Sequence, residues 1–203
     1  MMTWKQLKRK QRNWSKNLLL KRFKQINMKI GLFFGSYNPI HVGHLIIANH
    51  MVEYSDLDEV WLVVTPHNPF KKKSSLLEDH HRFQLVMRAT EDYPKLKPSN
   101  IEFDLPQPNY TINTLVHLEE KYPQHHFNLI MGLDNLNSFT KWKNYEKILD
   151  EHDLYVYPRI SKDVSSSDLL TNKSVHIIEA PIVEISSTFI RSAIKDKKNI
   201  RAL

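Results

Sequence analysis

Cysteine is absent from the 203 residues, which excludes disulfides and thiolate metal sites and suits a reducing, cytoplasmic setting. Glycine is scarce too, with four in the chain, and three of them (Gly35, Gly43 and Gly132) fall inside short polar motifs. It is therefore used for local geometry rather than for flexible linkers. No apolar run approaches the roughly 20 residues that span a bilayer, so no transmembrane segment is expected. Leu18-Leu19-Leu20 is too short for a signal-peptide core. Acidic residues are missing from residues 1–27, which hold nine Lys and Arg. Subtracting these nine from 29 basic residues leaves 20 against 22 acidic ones, so the formal charge of +7 belongs to a tail. The body carries no basic surface of the kind that nucleic acid requires. Residues 1–27 read as a basic extension, either dispensable or an amphipathic helix for an anionic surface. Residues 28–203 read as one domain.

What is present centres on Gly35-Ser36-Tyr37-Asn38-Pro39-Ile40-His41-Val42-Gly43-His44. An apolar strand, 29–34, precedes it. A helical pattern follows over 45–54, with Ile47, Ala48, Met51 and Val52 on one side. Gly35 offers a sharp exit from the strand, and Gly43 a close approach to the helix start. Helix-start amides favour an anion, and two imidazoles lie at the same end. The combination describes a phosphate site. His41 and His44 alone could also ligate zinc, but no Cys and no nearby acid completes a set, so no metal site of the protein's own is expected.

Further along, strands at 59–65, 101–105, 127–131, 154–157 and 175–178 alternate with helical patterns. The helices fall over 78–92, from an N-cap at Thr111 onward, 135–139, 145–149, and after Ser186 or Ser187. Continuous apolar strands separated by helices predict an α/β fold: a doubly wound, mainly parallel Rossmann-like sheet with helices on both faces. Ligands in such sheets bind beyond the carboxyl ends of the strands. The segments 35–44, 66–73, 109–114 and 132–142 all lie there. The lysine run Lys71 to Lys73 is either a triphosphate contact or a solvated loop. Ile185-Ser186-Ser187-Thr188-Phe189-Ile190-Arg191 offers another helix start with a guanidinium one turn in, a second anion site.

The ten-residue stretch resembles the signature of the HxGH nucleotidylyltransferases, with His41-Val42-Gly43-His44 as the hallmark. It departs at Phe34, where many relatives have Gly, and at Tyr37 and Asn38. The 185–191 segment resembles the I-S-S/A-T-x-I-R signature of the same superfamily. Asn109 to Leu115, Gly132-Leu133-Asp134, Phe139-Thr140-Lys141-Trp142, Pro69-Phe70-Lys71 and His81-Arg82 are similar to segments of the nicotinate mononucleotide adenylyltransferases. Phe70 stands where that family has His. Such relatives usually continue beyond Leu203, so the C-terminus is either naturally short or truncated.

The resemblance implies transfer of the adenylyl group of ATP to nicotinate mononucleotide, giving deamido-NAD and pyrophosphate, with Mg2+ accompanying ATP. It implies catalytic roles for His41, His44 and Arg191. ATP would meet Gly35, Ser36, Gly43, Lys71, Asp134, Ser186, Ser187 and Thr188. The mononucleotide would meet Tyr37, Asn38, Tyr110, Thr111, Trp142 and Lys143, with Trp142 stacking on the pyridine. Rival readings are a nicotinamide mononucleotide or phosphopantetheine adenylyltransferase, and a membrane- or RNA-binding module acting through the tail. A homo-oligomer is compatible with all of them.

Overall fold

The computed structural model describes residues 27–66, 76–158 and 168–203. The basic tail, Phe70 and Lys71 to Lys73 lie outside the described residues. The chain runs β1 (Lys29–Gly35), α1 (Val42–Tyr54), β2 (Glu59–Val64), α2 (Asp79–Ala89), β3 (Leu96–Ser99), α3 (Thr111–Lys121) and β4 (His126–Gly132). It continues with α4 (Leu133–Leu136), a 3-10 turn (Phe139–Lys141), α5 (Tyr145–Glu151), β5 (Leu154–Tyr157), a second 3-10 turn (Asp168–Thr171), β6 (Val175–Ile177) and α6 (Ser187–Lys195). The six strands form one sheet in the order β3-β2-β1-β4-β5-β6, every pair parallel. The expected doubly wound architecture is therefore found, with its reversal of strand order between β1 and β4.

The period-2 alternation of each strand divides its apolar residues between two cores. Ile30, Leu32, Leu129, Met131, Leu154 and Val156 pack with Ile112, Leu115 and Leu118 of α3 and Ile148 of α5. Phe33, Leu62, Val64, Ile130 and Tyr155 pack with Ile47, Ala48, Met51 and Val52 of α1 and Val86 of α2. Both faces are covered, which is why these strands read as continuous apolar runs.

Three sequence expectations are corrected. The third strand is Leu96–Ser99, not 101–105, which forms turns. The strand Leu-Lys-Pro-Ser contains Pro98, which a central strand would not accommodate, but β3 is an edge, where a missing N–H is tolerated. Helix α1 starts at Val42 rather than 45, which places His44 inside its first turn. Tyr110, not Thr111, is the cap residue of α3, and no side chain caps that helix.

A charge cluster pins the opposite, amino-terminal end of the sheet. Lys29 Nζ lies 2.8 Å from Asp56 and 3.0 Å from Asp153. The Tyr155 hydroxyl donates to Asp56, and His176 Nε2 is 3.3 Å from Asp153. Partial burial alone would raise both carboxyls; the Lys29 ammonium and the other donors outweigh it and hold both below the ordinary carboxylate value. A depressed carboxyl contributes stability above its unfolded pKa, near 4, and loses it as pH falls through the folded value. The urea midpoint should therefore drop from about pH 4 downward. In D56N/D153N the midpoint should be lower at neutral pH and flatter with acidification. Parallel pH profiles for the two proteins would exclude the cluster as a source of acid sensitivity.

Candidate active site

The site lies where β1, β2 and β4 end, and it begins with α1. His41 is the cap residue and its N–H donates to His44 Nδ1 at 3.3 Å. That bond makes Nδ1 of His44 an acceptor, so the ring proton of the neutral form sits on Nε2. The two rings lie 3.7 Å apart between centroids, tilted by 31°. His44 also meets Tyr37 edge-on at 5.0 Å and Phe33 at 6.2 Å. A Cβ on Gly43 would come 3.1 Å from His41 Nδ1 and 3.2 Å from Val183, so those side chains would have to give by a few tenths of an ångström. Gly35 is needed because a Cβ would lie 2.7 Å from the Tyr37 ring. Its φ is not positive, so close approach, rather than an unusual turn, selects glycine there.

Helix α6 closes the other side. Ser186 caps it, its hydroxyl accepting from the Phe189 N–H at 3.2 Å. The Ser187 hydroxyl donates to Pro39 O at 2.9 Å, and Arg191 donates to Asn38 O at 2.7 Å and to the Thr188 hydroxyl at 3.1 Å. The motif near residue 190 is thus stapled directly onto the loop near residue 38. Between them is a cleft of about 500 Å³ lined by His41, His44, Ser36, Asp134, Ser186, Ser187, Thr188 and Arg191 among others. Two helix starts, two imidazoles and a guanidinium converge on it, an arrangement suited to a polyphosphate.

A second lobe of about 280 Å³ adjoins the first, sharing Phe34, Gly35, Ser36 and Asn135 with it. Tyr110, Thr111, Trp142 and Lys143 line it, together with Glu102, Asn109 and Lys141. Lys143 Nζ sits 4.6 Å from the centre of the Tyr110 ring. Trp142 packs against Phe139 at 5.3 Å. The lobe offers flat aromatic walls and cations, the partners of a planar, negatively charged ring.

Tyr37 and Asn38, which the resemblance assigns to the mononucleotide, line the first cleft. Tyr37 is 1 % exposed, and its hydroxyl donates to Phe33 O at 2.6 Å. Burial, with Tyr157 adding to it, pushes that hydroxyl well above the ordinary tyrosine value, so it stays a donor. It takes a left-handed backbone conformation, φ 42°, which is unusual for an aromatic residue. Its ring is thereby folded back beneath His44. The Asn38 side chain accepts from the Leu77 N–H at 3.2 Å. Both build the loop that presents the histidines.

Two buried residues carry this geometry without having been singled out for a role. Arg82 of α2 is fully buried and donates to the carbonyls of Ser36, Thr65, Pro66 and Leu77 while pairing with Asp79 at 2.5 Å. Its place in the His81-Arg82 segment and its spacing to Val86, one helical turn on, were the available signals, since Arg82 and Val86 both face inward. Glu102 sits in the segment misread as a strand, and nothing in its neighbours marked it.

A parallel sheet in this order, with anion-binding groups gathered at its switch point, defines a nucleotide-binding protein of the Rossmann-like class. The cytidylyltransferase-like family model matches residues 32–193. A probable nicotinate-nucleotide adenylyltransferase of Flavobacterium psychrophilum is 67 % identical over 176 residues, covering 87 % of this chain and 91 % of the relative. The namesake of Bacteroides fragilis is 50 % identical over 173 residues, 85 % of each chain. The fold is shared with the Plasmodium falciparum nicotinic acid mononucleotide adenylyltransferase complexed with NaAD, at a TM-score of 0.71 and 20 % identity over 86 % of this chain and 87 % of that one. The chain belongs to the cytidylyltransferase-like family and, within it, to the nicotinate-nucleotide adenylyltransferases. No helix among the described residues is long and apolar enough to cross a membrane.

Proposed function

We propose that the chain transfers the adenylyl group of ATP to nicotinate mononucleotide, forming deamido-NAD and releasing pyrophosphate. The observation that carries this reading is the pair of adjoining lobes. One is rich in phosphate partners and the other is aromatic and cationic, and they meet at Ser36 and Asn135. The 5′-phosphate of the mononucleotide is the nucleophile, so the protein supplies no attacking group of its own. It attacks the α-phosphorus of ATP, the bond to the β-phosphate oxygen breaks, and pyrophosphate leaves.

In this reading His44, with its proton on Nε2, donates toward the α-phosphate, where charge develops. His41, Arg191 and the start of α6 at Ser186, Ser187 and Thr188 hold the β- and γ-phosphates. Asp134 accepts from ribose hydroxyls. Gly35, Ser36 and Gly43 shape the backbone beneath the phosphates, and Lys71, outside the described residues, is a further candidate partner for them. The pyridine lies against Trp142, with Tyr110, Thr111 and Lys143 around it. Mg2+ bound with ATP supplies neutralisation of phosphate charge. Asp134, the one carboxylate among the described lining residues, is the side chain of this cleft that could meet such an ion.

The test is pyrophosphate release from ATP and Mg2+ with nicotinate mononucleotide, nicotinamide mononucleotide and phosphopantetheine as rival acceptors. The acid mononucleotide should be preferred over its amide by at least about a hundredfold in kcat/KM. W142A should raise KM for both mononucleotides by roughly tenfold while keeping most of that preference, since stacking does not distinguish the two rings. Equal use of acid and amide by the intact enzyme would sink the acid-specific reading.

A further inference from the structure

Among the residues lining the second lobe there is one acid, Glu102, and the reaction above leaves it without a task. It is 2 % exposed. Its Oε1 accepts from the Thr114 hydroxyl of α3 at 2.7 Å, and its backbone carbonyl accepts from the Asn109 side chain at 3.0 Å. Its Oε2 is buried and has no hydrogen-bond partner, and the same holds for Oδ1 of Asn109. The lobe wall therefore holds a buried carboxyl with one oxygen, Oε2, outside any hydrogen bond of ordinary geometry, next to the Thr65 and Asn109 side chains. A buried carboxylate in that position is costly unless a proton or a ligand supplies the missing hydrogen bond.

We propose that Glu102 reads the substituent on the pyridine: in its neutral form it admits a carboxylate, and in its ionised form it turns the lobe toward an amide. An ionised Glu102 would place a second negative charge beside the substrate carboxylate in a poorly solvated pocket. A neutral amide meets no such repulsion. A proton on Oε2 removes the repulsion and gives the lobe a donor for the acid. Burial pushes the Glu102 carboxyl upward, against the Thr114 bond and the nearby Thr65 and Asn109 side chains. The other charged groups around the lobe are Lys141 and Lys143, and Arg82, which donates to Thr65 O. Tyr110 is the remaining titratable neighbour.

This inference rests on the pyridine lying in the second lobe. The experiment is the ratio of kcat/KM for nicotinate over nicotinamide mononucleotide from about pH 5.5 to about pH 9. Both substrates carry the same 5′-phosphate and use the same ATP, so those titrations cancel in the ratio. In the wild type the ratio should fall at least about tenfold as pH rises. In E102Q, which keeps the shape but cannot ionise, the ratio should stay flat within about twofold. T114V removes a bond that favours the ionised form, so the fall should move to higher pH. A flat wild-type ratio, or an E102Q profile that tracks the wild type, would overturn the proposal. Should E102Q fail to fold, an unmoved profile in T114V overturns it equally. If neither mononucleotide is adenylylated, the reading of the lobe fails first and this inference with it.

Discussion

H44A should lower kcat by about a hundredfold or more while the protein remains folded, because the variant loses the donor proposed for the transition state. His44 is placed by three independent constraints. The His41 N–H fixes its Nδ1 as an acceptor, the Tyr37 and Phe33 edges limit its ring, and the first turn of α1 sets its direction. None of these is a large contributor to stability. Removing the imidazole forfeits the hydrogen bond from the His41 N–H and the ring contacts with His41, Tyr37 and Phe33, a loss expected to be about 1–3 kcal/mol. Thermal unfolding should thus change modestly while pyrophosphate release collapses. A folded H44A variant whose kcat stays within about threefold of wild type would remove His44 from the chemistry.

The largest effect on stability should come from Arg82. Its guanidinium satisfies carbonyls of four residues, Ser36, Thr65, Pro66 and Leu77, and pairs with Asp79. These belong to the loops after β1 and β2 and to the approach to α2. R82M keeps much of the side chain's bulk but strips several buried carbonyls of their donors at once. A loss of about 3–5 kcal/mol in unfolding free energy is expected from urea titration. R82K should recover less than half of it, since an ammonium cannot span a planar fork's partners. Because Ser36 O is one of those partners, kcat/KM for ATP should fall in both variants even below the unfolding transition. Variants within 1 kcal/mol of wild type would mean that the loops hold themselves.

What was legible in the residues alone was local. The period of β1, β2, β4 and β5, their apolar runs and the helices between them specified a doubly wound parallel sheet, because burial on both faces leaves a pattern in a single segment. The two helix starts that face the cleft were legible for a like reason, since a glycine-bearing loop with histidines, and Ser-Ser-Thr before Arg191, each carry their pattern within ten residues. Edge strand β3 was missed because its eligibility for a proline depends on having a neighbour on one side only. The burial of Tyr37 and Asn38 was not legible in the motif, because it is set by Phe33, Leu77 and α6, which the fold brings to them.

Only the tertiary structure joined the parts into one site. The contact between Arg191 and Asn38 spans 153 residues, and that between Arg82 and Ser36 spans 46. Neither leaves a periodic or compositional trace, because a backbone carbonyl is present at every position and only the fold decides which ones face a guanidinium. The unpartnered oxygens of Glu102 and Asn109 are invisible in sequence for the same reason: lacking a donor is a property of surroundings, not of a residue type.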